Sequence, residues 1–346
     1  MKSEILAILD NAKKHPINKE ETLFLLQNTE DQENAEYLFE VARFVREAEK
    51  GNVFRITGGI AQVLKCNLKP LCTYCPYWRE KGKKPLSTKE VLKAVRYLHD
   101  HGIRDFHLSG GTTLGSEGKD VLALVKSIYD AGFTDMAIDI NCGAAMSLET
   151  LLELKQYGVK MVRSVFETLN PKVFSFMKPG DSLEAKKDFA WRIGEAGIAL
   201  GTGMLAGLSP QDTRYQDYVD FLFEIKEFPH LKSVYVSKFY PFGTIALQGY
   251  EPCPSSEAAR VIALARLILR TVDIGAAQGW MESKVVTPFD AGAGNGTGGI
   301  HITRTPAYID TAKQGPHVTY KDNMEYRNNI ESIRGYYEER GIELVF

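Results

Sequence analysis

The residues with the clearest chemical potential are three cysteines, Cys66, Cys72 and Cys75, which lie within ten residues of one another in the spacing C-x5-C-x2-C. They follow directly on an apolar segment that is typical of a β-strand. Thiolates so close together in a loop can converge on one metal centre. Three protein ligands leave a coordination position open, as a catalytic centre requires, whereas a structural zinc site closes its shell with a fourth.

Three kinds of chemistry are compatible with this loop. A redox-active C-x-x-C pair accounts for Cys72 and Cys75 but leaves Cys66 without a role. A zinc site needs a fourth ligand, which Cys142, Cys253 or a histidine would have to supply from a distant part of the chain. A [4Fe–4S] cluster held through three of its irons needs no fourth residue, and a position after the first strand of a barrel suits an active site.

The composition limits the classes of protein that need to be considered. The chain has 346 residues, a hydrophobic content of 44% and a formal net charge of −2. These are ordinary values for a globular protein, and they give no basic field for nucleic acid or an anionic membrane. The N-terminus lacks the apolar run of a signal peptide, no stretch is long enough to span a membrane, and the five cysteines are odd in number. We therefore expect a reduced, cytoplasmic location with no membrane or nucleic-acid partner.

Two different patterns of apolar residues divide the chain. Residues 1–50 are expected to form a helical cap, with a capping box in Asn18-Lys19-Glu20-Glu21. From residue 51 onward short apolar strands alternate with amphipathic helices, which is typical of βα units around a parallel sheet. The pattern predicts an α/β fold, a (βα)8 TIM-type barrel over residues 51–346 that includes a C-terminal helix near Asp322–Arg340. The expected strands are Ile60–Leu64, Asp105–Leu108, Met136–Ile140, Met161–Phe166, Ala199–Leu205, Val234–Phe239, Val272–Ala277 and Gly298–Ile302.

Several segments outside these units also support predictions. Residues 291–299 are too glycine-rich for a helix or a packed strand, and they lack the Gly-Lys-Ser/Thr of a P-loop, so we expect a mobile active-site lid. The charge run at residues 79–84 is expected to be a solvated loop. Cys142 and Cys253 are too few to hold a second all-cysteine cluster. Cys142 is expected to be a small buried residue near the barrel mouth, and Cys253 to lie in a loop.

The cysteine loop resembles that of the radical S-adenosylmethionine (SAM) superfamily, whose usual signature is C-x3-C-x2-C with an aromatic residue before the last cysteine. Tyr74 stands in that aromatic position, and the first spacer is two residues longer here. This longer version resembles the HmdB family, radical SAM proteins associated with making the iron–guanylylpyridinol cofactor of [Fe]-hydrogenase. That family is related to biotin synthase, methylornithine synthase and the [FeFe]-hydrogenase maturase HydE. The resemblance covers roughly residues 50–300.

The resemblance implies that the loop cysteines hold a [4Fe–4S] cluster and that neighbouring strand ends hold SAM. Ser109-Gly110-Gly111-Thr112 lies where the superfamily has a Gly-Gly-Glu-like motif, with Thr112 in place of the acidic residue. Backbone carbonyls of that motif accept hydrogen bonds from the methionyl ammonium of SAM, and glycine permits the close approach. Asn141, at the end of the third strand, is a candidate for the SAM ribose or the substrate.

A second set of implied SAM contacts follows the fourth strand. Glu167 begins a Glu-Thr-x-x-Pro stretch that is similar to one in the HydE and methylornithine synthase group, where the glutamate lies near the amino-acid part of SAM. An arginine on the following helix pairs the SAM carboxylate in those relatives. Lys186 takes the arginine position here, which would give a point charge in place of a bidentate fork, and Lys187 and Arg192 remain alternatives.

The implied contacts of the adenosyl group lie on the fifth and sixth strands. Residues 201–208 resemble the superfamily's G-x-I-x-G region beside the adenine, with Leu205 in the isoleucine position. A glycine-bearing buried strand needs close backbone contact with another group. Phe239 and Tyr240 end the sixth strand, where relatives use main-chain groups to recognise the edge of the adenine.

The resemblance also implies a reaction. An electron from a low-potential donor such as ferredoxin would enter the cluster, SAM would be cleaved to methionine and a 5′-deoxyadenosyl radical, and the radical would abstract hydrogen from a small-molecule substrate in the lumen. The resemblance to HmdB implies a guanylylpyridinol precursor as that substrate. The alternatives are another biotin-synthase-like mutase or lyase, and a non-catalytic iron–sulfur or zinc scaffold or carrier in metallocofactor assembly.

Overall fold

A computed structural model describes the fold over residues 3–79, 82–143, 145–241, 245–276, 280, 286–294, 296–306 and 317–346. The strands are β1 Val53–Ala61, β2 Asp105–Ser109, β3 Ala137–Asn141, β4 Val159–Arg163, β5 Ala199–Ala206, β6 Leu231–Lys238, β7 Asp273–Gly275, β8 Gly296–Arg304, β9 Val318–Lys321, β10 Met324–Asn328 and β11 Glu343–Val345. The helices are α1 Ser3–Ala12, α2 Lys19–Asn28, α3 Gln32–Lys50, α4 Thr88–Asp100, α5 Lys119–Asp130, α6 Leu148–Gln156, α7 Pro171–Met177, α8 Leu183–Glu195, α9 Arg214–Ile225, α10 Ser255–Leu269 and α11 Ile330–Glu338.

One sheet holds all of these strands. Its order is β7-β6-β5-β4-β3-β2-β1-β8-β10-β9, and β11 adds to the start of β1. The strands from β1 to β8 pair in parallel, as expected for strands joined by helical crossovers. Residues from each of these eight strands line a single cavity, so the sheet closes around a lumen. The predicted α/β fold with a barrel of parallel strands is confirmed.

Three helices precede the barrel. The predicted capping box is present in α2, where Asn18 and Glu21 bond to each other's backbone amides. Leu38, Val41 and Val45 of α3 are buried in the same core as the barrel strands. The division of the chain at residue 50 therefore stays a prediction, since these helices share their apolar contacts with the barrel. None of the described helices is long and apolar enough to cross a membrane.

Two predicted boundaries near the site differ from the structure. The first strand is β1, which ends at Ala61, whereas Ile60–Leu64 was expected. Gln62 has a left-handed backbone, with φ of 63°, which turns the chain out of the strand before the cysteine loop. A short helix that the sequence did not indicate, α7, lies between β4 and α8, and Asn170 caps its amino end.

The predicted helix over Asp322–Arg340 is wrong in its first half. Residues 318–328 form the antiparallel hairpin of β9 and β10, and the helix α11 begins only at Ile330. Asp322 and Asn323 both have positive φ, 55° and 61°, as a two-residue type I′ hairpin turn requires. The hairpin pairs with β8 and so extends the sheet.

The glycine-rich stretch is not the mobile lid that was expected, at least in its second half. Gly298 and Gly299 belong to β8, which pairs with β1 inside the barrel, and Asn295 lies outside the described residues. A Cβ on Gly299 would overlap with Ile56 of the neighbouring strand. Glycine therefore allows close packing between these two strands, and the prediction that such a stretch cannot be a packed strand was wrong.

Candidate active site

A cavity of about 980 Å³ extends from the loops at the carboxyl ends of the strands down to the strand beginnings at Val53 and Asp105. Apart from the two alternatives to Lys186, the structure brings every residue proposed from the sequence to the wall of this one cavity. They are Cys66, Cys72, Tyr74, Cys75, Gly110, Gly111, Thr112, Asn141, Glu167, Lys186, Leu205, Phe239 and Tyr240. Side chains that are up to 174 residues apart in the chain (66 to 240) therefore share one site.

The first cysteine is positioned by the loop that ends β2. The Gly111 amide donates to the Leu64 carbonyl over 2.8 Å, and the Asn67 amide donates to the Thr112 carbonyl over 2.9 Å. A Cβ on Gly111 would overlap with the backbone of Cys66. Glycine is therefore required where these two loops touch.

The other two cysteines lie in a tight turn that two neighbouring groups hold. The Cys75 amide donates to the Cys72 carbonyl over 3.2 Å, and the Thr73 amide donates to the carbonyl of Met177 over 2.8 Å. The Arg79 guanidinium donates to the carbonyl of Cys72, and its Nε donates to the carbonyl of Cys75 over 2.7 Å. Arg79 was expected in a solvated charge run, but it binds the cysteine turn; residues 80 and 81 of that run lie outside the described residues.

The thiols suit a cluster with several irons. Cys66, Cys72 and Cys75 are each half-buried. Across the part of the chain that the structure describes, no group of three or more His, Cys, Asp or Glu side chains is arranged around a single metal ion. A cubane cluster binds its cysteines through different irons, so its ligands need not converge on one point. The three thiols at one end of a cavity fit such a cluster.

Burial opposes ionisation of the loop thiols, whereas the charges of two nearby lysines favour ionisation. Burial raises the pKa of Cys75 to about 12 and also raises the pKa of Cys72. Lys178 and Lys186 act on Cys72 in the opposite direction because a positive charge stabilises a thiolate. Metal binding requires the thiolate form, so the two lysines lie where they can help the loop to accept iron.

Both lysines are buried around one carboxylate. Lys178 and Lys186 are 5% and 3% exposed. Their Nζ atoms lie 3.7 and 3.4 Å from Oδ2 of Asp181, and Lys178 also donates to the carbonyl of Val165 over 3.0 Å. Burial, and then the charge of Lys178, lower the pKa of Lys186 to about 8. These two lysines thus lie near two carboxyls, those of Asp181 and Glu167, so positive and negative groups are equal in number on this wall of the cavity.

The alternatives to Lys186 lie elsewhere. Lys187 pairs with Glu224 of α9, and Arg192 donates to the carbonyl of Met146 over 3.1 Å. Neither of them lines the cavity within the described part of the chain. Lys178 was not recognised from the sequence, because it lies between two helices and only the packing of that segment against the cysteine loop brings it to the site.

Glu167 occupies a strained position at the end of β4. Its φ is 66°, and it is held there because its amide donates to the Gly203 carbonyl and its carbonyl accepts from the Leu205 amide, over 2.9 and 3.0 Å. The Tyr74 hydroxyl donates to Oε1 over 3.4 Å, whereas Oε2 is buried without a hydrogen-bond partner in the described structure. Burial raises the pKa of Glu167, and nearby lysines act against that shift. A buried carboxylate oxygen beside a cavity suits a cationic ligand group.

The remaining proposed residues line the cavity on β3, β5 and the end of β6. Leu205 and Phe239 are 8% and 3% exposed and give this part of the wall an apolar surface, and Tyr240 follows them half-buried. Asn141 ends β3, where its carbonyl accepts from the Gly110 amide over 3.0 Å. The cavity wall between β6 and the loop that contains Gly110 and Gly111 therefore has both apolar side chains and an amide side chain.

The two cysteines outside the loop are buried away from the cavity. Cys142 is 4% exposed and Cys253 is 2% exposed, and burial raises the pKa of both thiols, that of Cys253 to about 12. The predicted burial of Cys142 near the barrel mouth and the loop position of Cys253 are confirmed. Because neither of these two thiols lines the cavity, neither lies where it could bind a cluster held by the cysteine loop.

Sequence reasoning missed a group of polar side chains lower in the lumen. They are His107, Asp139, Arg163, Tyr235 and His301. The available signal was alternation along each strand: His107 stands between the buried Phe106 and Leu108, so its side chain points to the opposite face of β2. Only closure of the sheet shows that this opposite face is the inside of a barrel.

Comparisons with known proteins relate the chain to others in sequence. Residues 63–222 match the model of the radical SAM superfamily. The chain is 28% identical to the uncharacterized protein MJ0785 of Methanocaldococcus jannaschii over 68% of this chain and 63% of that protein. It is 32% identical to the probable GTP 3′,8-cyclase of Methanothermobacter thermautotrophicus over 36% of this chain and 39% of that protein. The chain thus spans less than two thirds of the length of either relative.

Solved structures agree in fold. Methylornithine synthase (PylB) has a TM-score of 0.78 at 20% identity, covering 98% of this chain and 97% of that chain. The [FeFe]-hydrogenase maturase HydG from Carboxydothermus hydrogenoformans has a TM-score of 0.76 at 19% identity, covering 99% and 79%. Identities this low show the fold alone. Residues 63–222, which are 160 of the 346 residues, are similar in sequence to the radical SAM superfamily, and the chain shares the fold of methylornithine synthase and HydG.

Proposed function

We propose that this protein is a radical SAM enzyme that reductively cleaves SAM to methionine and a 5′-deoxyadenosyl radical. The observation that supports the proposal is that four features line one cavity. They are the three loop thiols, the glycines after β2, the unpartnered Oε2 of Glu167 and the two buried lysines. When bound through Cys66, Cys72 and Cys75, the cluster supplies the electron that breaks the S–C5′ bond of SAM.

The chain's own residues bind the methionyl end of SAM in this proposal. Glu167 accepts from the SAM ammonium through Oε2, which has no partner among the described residues, and carbonyls of Gly110 and Gly111 add further acceptors. Lys186 pairs with the SAM carboxylate. Lys178 supports it, because it shares the charge of Asp181 and so leaves part of the charge of Lys186 available to the ligand. Thr112 closes this end against Cys66 through its carbonyl bond to Asn67.

The adenosyl end lies across the apolar wall. Leu205 and Phe239 pack against the adenine, and main-chain groups at Tyr240 recognise its edge. Asn141 faces the ribose from β3. Tyr74, which is bonded to Glu167, closes the space between SAM and the cysteine turn and so excludes water.

The finer part of the proposal concerns the substrate. We infer that a small molecule on the route to the iron–guanylylpyridinol cofactor of [Fe]-hydrogenase binds in the lumen beneath SAM, and that a low-potential donor such as ferredoxin supplies the electron. The longer first spacer of the cysteine motif supports this, because it resembles that of the HmdB family. Labelled precursor fed to cofactor-producing cells should stop entering the guanylylpyridinol when this protein is deleted; unchanged labelling would contradict the assignment.

Anaerobic reconstitution tests the reaction itself. We expect about four irons and four sulfides per chain, and release of 5′-deoxyadenosine when the loaded protein is reduced in the presence of SAM. Iron, sulfide and nucleoside analysis measures both. A loaded and reduced protein that never cleaves SAM would overturn the proposal, and stoichiometric zinc in the native protein would favour a scaffold or carrier role.

Arg79 is expected to retain the cluster by holding the cysteine turn. Arg79→Met removes the donors to the carbonyls of Cys72 and Cys75, so transfer of iron to a chelator should become about tenfold faster. Arg79→Lys should restore part of the retention. The control is Arg334→Met on α11, whose side chain is 43% exposed and which should release iron like the wild type. Equal release from all three variants would show that the turn does not depend on Arg79.

A further inference from the structure

The lower lumen of the barrel is lined by polar side chains. Barrels of this class usually fill the lumen with branched aliphatic side chains. Here His107 of β2, Asp139 of β3, Arg163 of β4, Tyr235 of β6 and His301 of β8 line the same cavity as the cysteine loop. The lower lumen is therefore a polar chamber beneath the site proposed for SAM.

Glycines on neighbouring strands make room for these side chains. A Cβ on Gly59 would overlap with the imidazole of His107, and a Cβ on Gly203 would overlap with the ring of Tyr235. Gly59 and Gly203 thus leave space on the inside of the barrel, and the rings of His107 and Tyr235 fill it from the next strand. The chamber is built into the packing of the strands.

The charges of Arg163 and Asp139, which are buried side by side in the chamber, balance each other. Arg163 donates to Oδ2 of Asp139 from Nε over 2.8 Å and from Nη2 over 2.5 Å, and Nη1 donates to the Ser233 hydroxyl over 3.3 Å. A guanidinium has five N–H donors, so these bonds leave donors over. Asp139 is 7% exposed, and its Oδ1 has no hydrogen-bond partner in the described structure. The ion pair therefore combines an unused acceptor with unused donors and has no net charge.

The two histidines are uncharged at neutral pH. Burial lowers the pKa of His107 and of His301 to about 4, with the charge of Arg163 adding to the shift at His107. Their ring centroids lie 6.3 Å apart. A neutral imidazole has one donor nitrogen and one acceptor nitrogen. This side of the chamber thus offers flat faces and both kinds of hydrogen bond without charge.

We infer that the lower lumen binds an uncharged, planar cyclic amide, a ring with neighbouring N–H and C=O groups, as the reacting part of the substrate. The N–H donates to the carboxylate of Asp139, the C=O accepts from Arg163, and the ring packs against the imidazoles of His107 and His301. A carboxylate or an ammonium would add an uncompensated charge to a balanced, buried pair, which is costly. This assignment rests on the proposed function, because it places the substrate beneath SAM in one cavity.

Three small probes test this preference on the anaerobically reconstituted protein with SAM. 2-Pyridone has both groups of the cyclic amide, 1-methyl-2-pyridone lacks the N–H, and benzoate is an anion of similar size. Ligand-detected NMR titration should give 2-pyridone an affinity about tenfold above that of each of the others. Equal binding of the two pyridones, or tighter binding of benzoate, would overturn the inference.

Asp139→Asn should reverse the preference, because it leaves Arg163 without a counter-charge. Benzoate should then bind more tightly than 2-pyridone. The matched control is Asp217→Asn on α9, a residue that accepts from Asn170 outside the cavity and that should keep the wild-type ratios. Should Asp139→Asn fail to fold, His301→Ala removes one of the two ring contacts and should weaken 2-pyridone several-fold. Wild-type ratios in a folded Asp139→Asn variant, or wild-type affinity for 2-pyridone in a folded His301→Ala variant, would contradict the assignment.

SAM cleavage in the same samples separates the two proposals. A wild-type protein that cleaves SAM but prefers benzoate would overturn only the assignment of the lumen. A wild-type protein that never cleaves SAM would overturn the proposed reaction, and the probe ratios would still decide which ligand the chamber binds.

Discussion

Cys72→Ala is expected to abolish both cluster binding and the release of 5′-deoxyadenosine. The loop offers three thiols, and with one removed an iron of the cluster loses its protein ligand. Iron content after anaerobic reconstitution should fall from about four per chain to near zero, and nucleoside release should fall below detection. Cys75→Ala should do the same. The fold should remain, because Cys72 and Cys75 are half-buried in a loop outside the core.

The matched control is Cys253→Ala. Cys253 is 2% exposed and lies outside the cavity wall, and burial raises the pKa of its thiol to about 12. This variant should keep full iron content and turnover while losing about 1 kcal/mol of unfolding free energy through the lost packing. Equal iron content and turnover in Cys72→Ala and Cys253→Ala would remove the cysteine loop from the reaction.

The cysteine loop and the proposed SAM contacts could be placed in one site from the sequence because of the geometry of parallel strands. Leu205 lies at the carboxyl end of β5, Gly110 directly follows β2, and Glu167 lies four residues after β4. In a closed barrel all of these ends lie on one face, so recognising the strands was enough to bring the residues together. Shifts of a few residues in strand boundaries, as at β1, did not change that outcome.

The lower chamber could not be predicted in the same way. His107 alternates with the buried Phe106 and Leu108, and this alternation alone does not tell which face of a barrel strand lines the lumen. Gly59, which pairs with His107 across the strands, has no side chain that would show which face of β1 points into the lumen, so its role is seen only once the strands are paired. The role of each residue depends on contacts with another strand, and a single sequence does not specify those contacts.

Long-range packing also determines where the two buried lysines, Lys178 and Lys186, lie. Lys178 reaches the cavity because the segment that follows α7 packs on the cysteine loop, and a Cβ on Gly180 would overlap with the Pro70 carbonyl. More than 100 residues separate these partners along the chain, 70 from 180. By contrast, the hairpin turn at Asp322 and Asn323 was a local signal, and it was overlooked because the charged residues around it suit an amphipathic helix equally well.

Glu167→Gln is expected to weaken SAM binding by about tenfold to a hundredfold, because it replaces a charge-assisted hydrogen bond to the SAM ammonium with a neutral one. Glutamine has nearly the same shape, so it can keep the bond from Tyr74 and the backbone bonds to Gly203 and Leu205. Equilibrium dialysis with SAM measures the loss. The control is Glu149→Gln, on the exposed start of α6, which should bind SAM like the wild type. If the wild type, Glu167→Gln and Glu149→Gln bind SAM with equal affinity, Glu167 is excluded as the partner of the ammonium.

The same substitution should change how stability depends on pH when SAM is absent. Burial raises the pKa of Glu167 above its ordinary value of 4.5. A carboxyl with a raised folded-state pKa contributes stability that is fully present below the unfolded value and is lost as the pH rises through the folded value. Glutamine does not titrate, so the unfolding free energy of the wild type minus that of Glu167→Gln should fall as the pH rises through this window. Urea unfolding at a series of pH values measures this difference. A difference that stays constant would mean that Glu167 has the same pKa in the folded and unfolded chains, and hence that its unpartnered oxygen is not held in the poorly solvated setting that favours an ammonium.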